Sequence, residues 1–398
     1  MIAQSLWAKD NFFTSQNKGA VGVKLTALTR FLSPGEGFPR NEVRALIPCF
    51  QNGFSELSGK SNGQNLFKTF LCRSEIMTKQ RKCLITGAAG FIGSHLVDAL
   101  LARGFVVVGI DNLKLGRKEN LAAALRHANF SFHQADINDQ PAMREILAAE
   151  SKSQGFELVW HLAANSDIRA GVADPDVDFR DTFLTTHNAL KLAREFKIPG
   201  FAFASSSAIY GDLRQKLTED IGPLFPISNY GAMKLAGEAA LSAATESFLE
   251  RSWIFRFPNV VGSRATHGAI LDFVHKLKKN PHELEVLGDG AQAKPYFHVA
   301  DLIDAMLFIV ENAREKRNFY NIGTNDTVTN VRFLAETTIR FASPQAKIRF
   351  TGGNRGWVGD VPTVDYSVEK LGRLGWHPRL TSNQAVERAV AEIVAENS

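Results

Sequence analysis

Residues 82–93 have the sequence KCLITGAAGFIG, and this stretch decides the fold. The apolar run at 82–86 predicts a short buried strand, and a glycine-rich turn follows it at once. Residues 94–103 then place Leu96 and Leu100 on one face of a helix. A glycine-rich turn between a strand and a helix brings backbone N–H groups and the positive end of the helix dipole to a phosphate. The stretch therefore predicts a dinucleotide-binding unit.

The three glycines have separate roles: the first permits the tight turn, the second lets the backbone approach a pyrophosphate, and the third permits close packing of helix on strand. Because a glycine pattern alone is a weak signal, a carboxylate is expected at the end of the next strand. Asp111 follows the apolar run 105–110, where it can accept hydrogen bonds from both adenosine ribose hydroxyls and would repel the 2′-phosphate of NADP. NAD is therefore the predicted cofactor, while a turn cap is the alternative role of Asp111. The predicted cofactor contacts of this unit are Gly87, Gly90, Phe91, Ile92, Gly93, Asp111 and Asn112.

Strands and helices continue to alternate after Asp111. Strands predicted over 130–133 and 158–161 flank a helix over 141–150, which indicates right-handed βαβ units and a parallel sheet. An aspartate at 136 is a candidate contact for the adenine amino group, although a turn aspartate explains it nearly as well. Small residues after the second strand would let a cofactor lie against the backbone. The predicted cofactor contacts here are Asp136, Ile137, Ala163 and Ala164.

A serine run and a Tyr/Lys pair indicate the chemistry. The strand predicted over 200–204 delivers Ser206 to the carboxyl edge of the sheet, where open α/β sheets bind ligands. Tyr230 and Lys234 are four residues apart on a predicted helix, so they project from one face. An ammonium and the positive charge of the nicotinamide would lower the pKa of the tyrosine from its usual ~10, which makes the phenolate a general base. The alternative is an ordinary pair of surface helix residues.

Composition limits the other classes of function. The chain has 398 residues, and no run reaches the ~18 apolar residues that a membrane-spanning helix needs. Residues 1–80 carry ten Lys and Arg against five Asp and Glu, which accounts for the whole net charge of +5, so no nucleic-acid partner is predicted. The basic run at 276–279 is interpreted as a solvated helix face. Three cysteines without CxxC spacing predict a reducing, cytoplasmic location and no metal site.

The chain is predicted to be an α/β protein with a Rossmann-type doubly wound parallel sheet and a smaller C-terminal substrate-binding α/β domain. Residues 1–76 show no sustained periodicity and are interpreted as an N-terminal extension of unknown structure. Two interpretations of it stay open, a genuine extension and a natural start at Met77. The NAD-binding domain is predicted over 77–258, and 259–398 is predicted to be mainly the substrate-binding domain.

From about Met77 onward the chain resembles the extended short-chain dehydrogenase/reductases. Within them it is most similar to the NAD-dependent nucleotide-sugar epimerase/dehydratase group, and in particular to UDP-glucose 4-epimerases. These motifs together are specific for the family and less so for one reaction. The motifs that carry the resemblance are TGAAGFIGSHL at 86–96, HLAA at 161–164, SSSAIYG at 205–211, NYGAMKLAGE at 229–238 and RFPNVVG at 256–262.

The resemblance implies 4-epimerisation of a nucleotide sugar, with UDP favoured. Tyr230 would take the proton of the sugar 4-hydroxyl while C4 gives its hydride to NAD, and the 4-keto sugar would turn over and receive the hydride on its other face. The resemblance gives Ser206, Tyr230 and Lys234 as catalytic residues, and it implies a homodimer through helices around 182–196 and 230–249. The implied substrate contacts are Ser206, Ser207, Asn259, Lys294 and Arg355.

Several residues depart from the family pattern. Dehydratases of the family resemble a Thr-Asp-Glu run whose acids perform an elimination, but this chain has Ser207 and Ala208 at the acidic positions, which disfavours that reaction. Lys294 stands where an arginine is common, and a lysine lacks the bidentate fork of arginine. The alternatives that stay open are a nucleotide-sugar oxidoreductase, a dehydratase, and a non-catalytic NAD-binding sensor or scaffold.

Overall fold

Parallel strands form the centre of the molecule, whose computed structural model describes residues 80–398 except 214, 325–327, 354–365 and the side chain of 169. Seven of the strands form one sheet in the order β3-β2-β1-β4-β5-β6-β11, and every neighbouring pair is parallel. The strands are β1 (Lys82–Thr86), β2 (Val106–Asp111), β3 (Phe130–Gln134), β4 (Leu158–His161), β5 (Gly200–Ala204), β6 (Arg251–Arg256), β7 (Asn259–Val261), β8 (Glu283–Val286), β9 (Ala293–Lys294), β10 (Tyr296–His298), β11 (Arg317–Asn321), β12 (Thr329–Asn330) and β13 (Lys347–Phe350).

Helices cover both faces of this sheet. Helices α1 and α8 lie on one face, and α2, α5 and α6 lie on the other. The helices in the described ranges are α1 (Phe91–Ala102), α2 (Gln140–Glu150), α3 (Ile168–Ala173), α4 (Pro175–Asp178), α5 (Thr185–Glu195), α6 (Asn229–Ser247), α7 (Ala269–Lys279), α8 (Val299–Asn312), α9 (Val331–Ala342), α10 (Glu369–Leu374) and α11 (Ser382–Asn397). A π-helical segment, Phe179–Leu184, joins α4 to α5, and a 3₁₀ turn, Ser207–Tyr210, follows β5.

The strands bury both of their faces, which explains their nearly continuous apolar sequences. In β1, Cys83 and Ile85 belong to the apolar cluster that includes α1 and α8, whereas Leu84 belongs to the cluster on the other face with α2, α5 and α6. Thr86 at the end of β1 pairs with Ile110 of β2 on one side and with His161 of β4 on the other. The strand order reverses between β1 and β4, so the crevice for a ligand opens at this point. The predicted doubly wound α/β fold is confirmed.

The chain beyond residue 258 divides between two clusters. Helices α7, α9 and α11 share a separate apolar cluster with β8, which forms a two-stranded sheet with β13. However, α8 packs on α1, and β11 is the seventh strand of the main sheet. A substrate-binding domain over 259–398 therefore stays a prediction, and residues 299–321 within it belong to the main sheet and its helical layer. None of the helices in the described ranges is long and apolar enough to cross a bilayer.

Candidate active site

The glycine loop after β1 is shaped by close backbone contacts. Gly87 has a φ of +74°, and a Cβ there would lie 2.8 Å from the backbone nitrogen of Ala163. A Cβ on Gly93 would lie 2.0 Å from the carbonyl oxygen of Gly87. Helix α1 begins directly after Gly90, and no side chain caps it. The loop can therefore hold a phosphate against the first turn of α1, as a dinucleotide requires.

Asp111 stands at the end of β2 beside this loop. Its Oδ2 accepts a hydrogen bond from the backbone of Ala89 at 2.9 Å, and its Oδ1 accepts one from the backbone of Leu113 at 2.8 Å. The side chain is almost fully buried, and burial raises the pKa of its carboxyl above the ordinary value. Asp111 also lines the cavity, so its side chain both caps the turn and faces the position of the ligand. Next to it, Asn112 Nδ2 donates to Asp136 Oδ2 at 2.9 Å.

A buried histidine supports the same loop, and no role was predicted for it. His161 at the end of β4 has Nδ1 2.7 Å from the hydroxyl of Thr86 and Nε2 3.1 Å from that of Thr186. Its ring is stacked with that of Phe203, at 6.0 Å between the centroids. Burial, and secondarily the charge of Lys234, lowers the pKa of His161 to about 3. The imidazole is therefore neutral and holds β1, β4 and α5 together. Its place in the HLAA motif was the available signal.

The three predicted catalytic residues come together at the carboxyl edge of the sheet. The Ser206 hydroxyl accepts a hydrogen bond from the backbone of Ala208 at 3.1 Å, and it lies close enough to Tyr230 to oppose the rise in the pKa of the phenol. Lys234 is fully buried on the next turn of α6, with Nζ 5.7 Å from the centroid of the Tyr230 ring. The ammonium donates to the carbonyl oxygen of Ala204 at 2.6 Å. The tyrosine and lysine thus lie on one helix face, as their spacing predicts.

Burial dominates the electrostatics of this trio in the protein alone. Burial raises the pKa of Tyr230 to about 12, although the hydrogen bond from Ser206 opposes this and the charge of Asp178 adds to it. Burial lowers the pKa of Lys234 to about 7, against the charges of Asp178 and Glu238. The protein by itself therefore does not lower the pKa of Tyr230, and the expectation that the ammonium and the nicotinamide together lower it stays a prediction. Desolvation outweighs the neighbouring ammonium, so the positive charge of a nicotinamide is needed to favour the phenolate.

Asp178 is a second residue that sequence reasoning missed. It is fully buried at the end of α4, directly before the π-helical segment. Its Oδ1 accepts a hydrogen bond from Asn165 Nδ2 at 2.8 Å, while its Oδ2 has no hydrogen-bond partner within the described ranges. Burial raises the pKa of its carboxyl, although Asn165 and Thr182 oppose the rise. A Cβ on Gly171 would lie 1.8 Å from Oδ2, so a glycine is required there.

One continuous cavity of about 760 Å³ extends from the glycine loop and Asp111 to Ser206, Tyr230 and Lys234, and its volume suits a cofactor with its substrate. Of the predicted substrate contacts, Ser206, Asn259 and Lys294 line it. Ser207 does not line it, because it turns into the 3₁₀ segment with its N–H donating to the carbonyl oxygen of Phe257. Arg355 lies outside the described residues. The lining includes all the predicted cofactor contacts, namely Gly87, Gly90, Phe91, Ile92, Gly93, Asp111, Asn112, Asp136, Ile137, Ala163, Ala164, Tyr230 and Lys234.

The far wall of the cavity includes residues that the sequence did not indicate. Lys276, interpreted above as part of a solvated face, lines the cavity, with Nζ 2.9 Å from the carboxylate of Asp272. His267 and Gln292 line it as well. No group of three or more His, Cys, Asp or Glu side chains suited to a metal ion occurs in the part of the chain that the structure describes.

A buried ion pair fixes α6 against the sheet behind the trio. Arg256 at the end of β6 donates to Glu238 on α6, with Nη2 2.7 Å from Oε2 and Nε 3.0 Å from Oε1. Ser205 Oγ donates to the same carboxylate at 2.5 Å. The guanidinium also donates to the hydroxyl of Tyr210 at 2.9 Å. The segment that presents Ser206 and the helix that presents Tyr230 are thereby held to one network.

Known proteins are similar to this chain in sequence and fold. The chain is 36% identical over 249 residues to the UDP-glucose 4-epimerase of Mycolicibacterium smegmatis, which covers 61% of this chain and 77% of that protein. It is 31% identical over 252 residues to the dTDP-glucose 4,6-dehydratase of Streptomyces griseus, covering 62% of this chain and 74% of that protein. The crystal structure of UDP-glucose 4-epimerase from Thermotoga maritima with UDP-glucose is 27% identical, covers 80% of this chain and all of that chain, and superposes with a TM-score of 0.70.

Residues 83–323 match the NAD dependent epimerase/dehydratase family over more than half of the chain. The match spans the glycine loop, the Ser206, Tyr230 and Lys234 trio and the whole seven-stranded sheet. This chain belongs to the NAD dependent epimerase/dehydratase family, which confirms the predicted family and NAD as the cofactor.

Proposed function

We propose that this protein is a nucleotide-sugar 4-epimerase that acts on a UDP-hexose. The observation that carries the proposal is one cavity in which Ser206, Tyr230 and Lys234 lie at the same sheet edge as the dinucleotide loop. The named relatives that act on UDP-glucose support the choice of nucleotide and of position C4.

Each residue has a definite task in such a reaction. NAD, held by the glycine loop and Asp111, would supply a reversible acceptor for the hydride of C4. Tyr230 takes the proton of the 4-hydroxyl and gives it back to the same oxygen when the carbonyl is reduced. Ser206 donates a hydrogen bond to that oxygen and orients it. Lys234, whose Nζ lies 5.7 Å from the centroid of the tyrosine ring, favours the phenolate in its protonated form.

The serine segment favours epimerisation over elimination. Elimination of water from a 4-keto sugar needs an acid and a base near C5 and C6. Dehydratases of the family have carboxylates at two positions where this chain has Ser207 and Ala208. Ser207 also stands outside the cavity lining. A net oxidoreductase is the other candidate, and it would convert NAD stoichiometrically, whereas an epimerase regenerates it in every turnover.

The test is to incubate the purified protein with UDP-glucose, UDP-galactose and their uronic acid and N-acetyl forms, and to follow the sugar protons by NMR. Inversion at C4 without net NADH is expected. Loss of water or net NADH with every substrate would contradict the proposal. Tyr230→Phe is expected to abolish turnover while NAD stays bound, and Tyr320→Phe on β11, outside the cavity, is the matched control.

We also propose a homodimer that is built on the segment from Phe179 through α5 together with α6. Phe179 is half-exposed, and its ring, that of Phe183 and that of His187 follow one another at 6.1 and 6.4 Å between centroids. This row of rings is an apolar surface that a second copy would cover. Light scattering should give twice the chain mass, and Phe179→Glu should shift the protein to monomer. A monomer in the unmodified protein would contradict the proposal. The cytoplasmic location also stays a prediction.

A further inference from the structure

A strained turn connects β7 to the far wall of the cavity. Arg264 has a φ of +62°, a left-handed conformation that a residue with a Cβ rarely adopts. Residues 265–269, the wall segment, follow directly and all line the cavity, and the last of them begins α7. None of the predicted cofactor contacts lies in this segment. Backbone strain persists only where the surrounding structure enforces it, so the contacts that hold Arg264 also determine where the wall segment lies.

Two carboxylates of α11 hold this turn. Glu392 Oε2 accepts a hydrogen bond from the backbone N–H of Ser263 at 3.0 Å, and Glu396 Oε2 accepts one from the backbone N–H of Arg264 at 2.8 Å. Residues four apart on a helix lie on one face, so the two carboxylates meet two successive N–H groups of the turn. Hydrogen bonds to a charged acceptor are stronger than those between neutral groups. Helix α11 therefore fixes the turn at two points.

Glu392 is itself held from two further directions. Its Oε2 lies 3.1 Å from Nε2 of His298, and its Oε1 accepts a hydrogen bond from Arg388 Nε at 2.8 Å. His298 is buried, and its Nδ1 accepts from the backbone N–H of Ala300, so the ring proton is on Nε2 and points to the carboxylate. Burial opposes the charged form of Glu392, but the hydrogen bonds from His298 and Arg388 outweigh it and lower the pKa of Glu392 to about 2. The acceptor is therefore charged and fixed in place at neutral pH.

The other side of the turn is attached to α1, the helix that follows the glycine loop. The carbonyl oxygen of Ser263 accepts a hydrogen bond from His95 Nε2 at 3.1 Å, and the guanidinium of Arg264 lies 2.8 Å from the carboxylate of Asp98. These contacts use the carbonyl group and the side chain of the turn, whereas α11 binds its N–H groups. Removing the carboxylates of α11 would thus leave α1 and the glycine loop in place.

We propose that Glu392 and Glu396 are positioning residues that set the wall segment for the nucleotide sugar. They act through the turn, because neither of them belongs to the cavity lining. Without these acceptors the turn can relax to an unstrained conformation, and the wall segment moves with it. Substrate binding is then weakened while NAD binding is unchanged. The inference rests on the proposed function, which makes the ligand of this wall a UDP-sugar.

The test measures two affinities by calorimetry: that of the NAD-free protein for NAD, and that of the NAD-loaded protein for UDP. Glu392→Ala is expected to bind UDP about tenfold more weakly, as the loss of a hydrogen bond implies, and to bind NAD with unchanged affinity. Glu396→Ala removes one exposed side chain, so it should fold normally and also weaken UDP binding. Glu387→Ala on the same helix is the matched control. Its carboxylate lies 2.8 Å from Arg340 at the surface, so both affinities should be kept.

An unchanged UDP affinity in Glu396→Ala, or in folded Glu392→Ala, would overturn the inference. An equal loss of NAD and UDP affinity would overturn it as well, because it would show general destabilisation instead of a displaced wall. The result is separable from the proposed function. Weakened UDP binding in the two variants, with no C4 inversion by the unmodified protein, would leave the positioning role standing and refute the epimerase. C4 inversion by the unmodified protein, with UDP affinity unaltered in both variants, would do the reverse.

Discussion

Replacing Glu238 with alanine should destabilise the protein strongly, because it leaves a buried guanidinium without its counter-charge. The side chains of Arg256 and Glu238 are 8% and 6% exposed, and two hydrogen bonds of 2.7 and 3.0 Å join them. After the substitution Arg256 keeps the hydroxyl of Tyr210 and the carbonyl oxygen of Glu219, which are neutral acceptors. Because the usual pKa of a guanidinium lies far above neutral pH, Arg256 cannot escape by losing its proton when the carboxylate is removed.

The expected cost is large for one side chain. Removing one partner of a buried ion pair costs about 3–5 kcal/mol, against a total free energy of unfolding of about 5–15 kcal/mol. An exposed pair on the same helix is the comparison. Glu246 on α6, whose side chain is 65% exposed, lies 3.3 Å from Lys316, and such a pair contributes about 0–1 kcal/mol. Glu238→Ala should therefore cost several times more than Glu246→Ala.

Urea unfolding of the NAD-free protein measures the free energy of unfolding of both variants. If the dependence of this free energy on urea concentration is unchanged, a shift of the midpoint reports a change in stability. A double variant with Arg256→Ala should cost less than the sum of the two single variants, because removing both charges leaves none of them buried alone. A Glu238→Ala midpoint equal to that of Glu246→Ala, or additive costs in the double variant, would refute the reasoning.

Three further predictions concern the cofactor loop and the catalytic charges. Gly93→Ala places a methyl group 2.0 Å from a backbone oxygen of the loop and should abolish NAD binding by calorimetry, whereas Gly155→Ala, which has open space around it, should leave NAD binding unchanged. Asp178→Asn should lower the pKa of both Tyr230 and Lys234, because the charge of the aspartate raises both pKa values. The whole pH–activity profile should therefore move to lower pH, and an unmoved profile would contradict this. The pKa of Lys234 is lowered to about 7 in the folded protein, against about 10.4 in the unfolded chain, so between about pH 7 and pH 10 the unfolded chain binds the extra proton. The free energy of unfolding should therefore rise with pH over this range, and it should rise less in Lys234→Met.

The core of the fold could be predicted because its signals are local. Each βα unit from β1 to β5 shows its strand, turn and helix within a short stretch of sequence, and the parallel topology then brings the ends of all these strands to one edge. For this reason the predicted cofactor contacts all line one cavity. The seventh strand could not be placed in the same way. Strand β11 pairs with β6, and about sixty residues that form other elements separate the two strands along the chain. The sequence of β11 does not indicate which strand is its partner.

The missed site residues have roles that arise from packing. Asp178 is one of several acids between 174 and 181, and only its complete burial beside Asn165 distinguishes it from the exposed ones. The sequence does not distinguish Gln292 from any other loop glutamine, whereas in the structure both of its side-chain polar atoms are buried without a hydrogen-bond partner in the described ranges. Motif spacing predicts which side chains meet at a strand end, whereas burial and hydrogen-bond satisfaction depend on elements that are distant in sequence.

The same distinction applies to the pKa of Tyr230, which the ammonium of Lys234 and the nicotinamide together are expected to lower. The sequence shows the lysine that favours the phenolate, but it does not show that both side chains are taken out of water. In the protein alone the tyrosine stays protonated at neutral pH, and the ammonium of Lys234 is itself only partly retained. The positive charge of the nicotinamide favours the phenolate of Tyr230 and opposes the ammonium of Lys234. The general base should therefore form only in the NAD-loaded protein, so a titration of Tyr230 by tyrosinate absorbance, referenced to Tyr230→Phe, should move to lower pH when NAD is added.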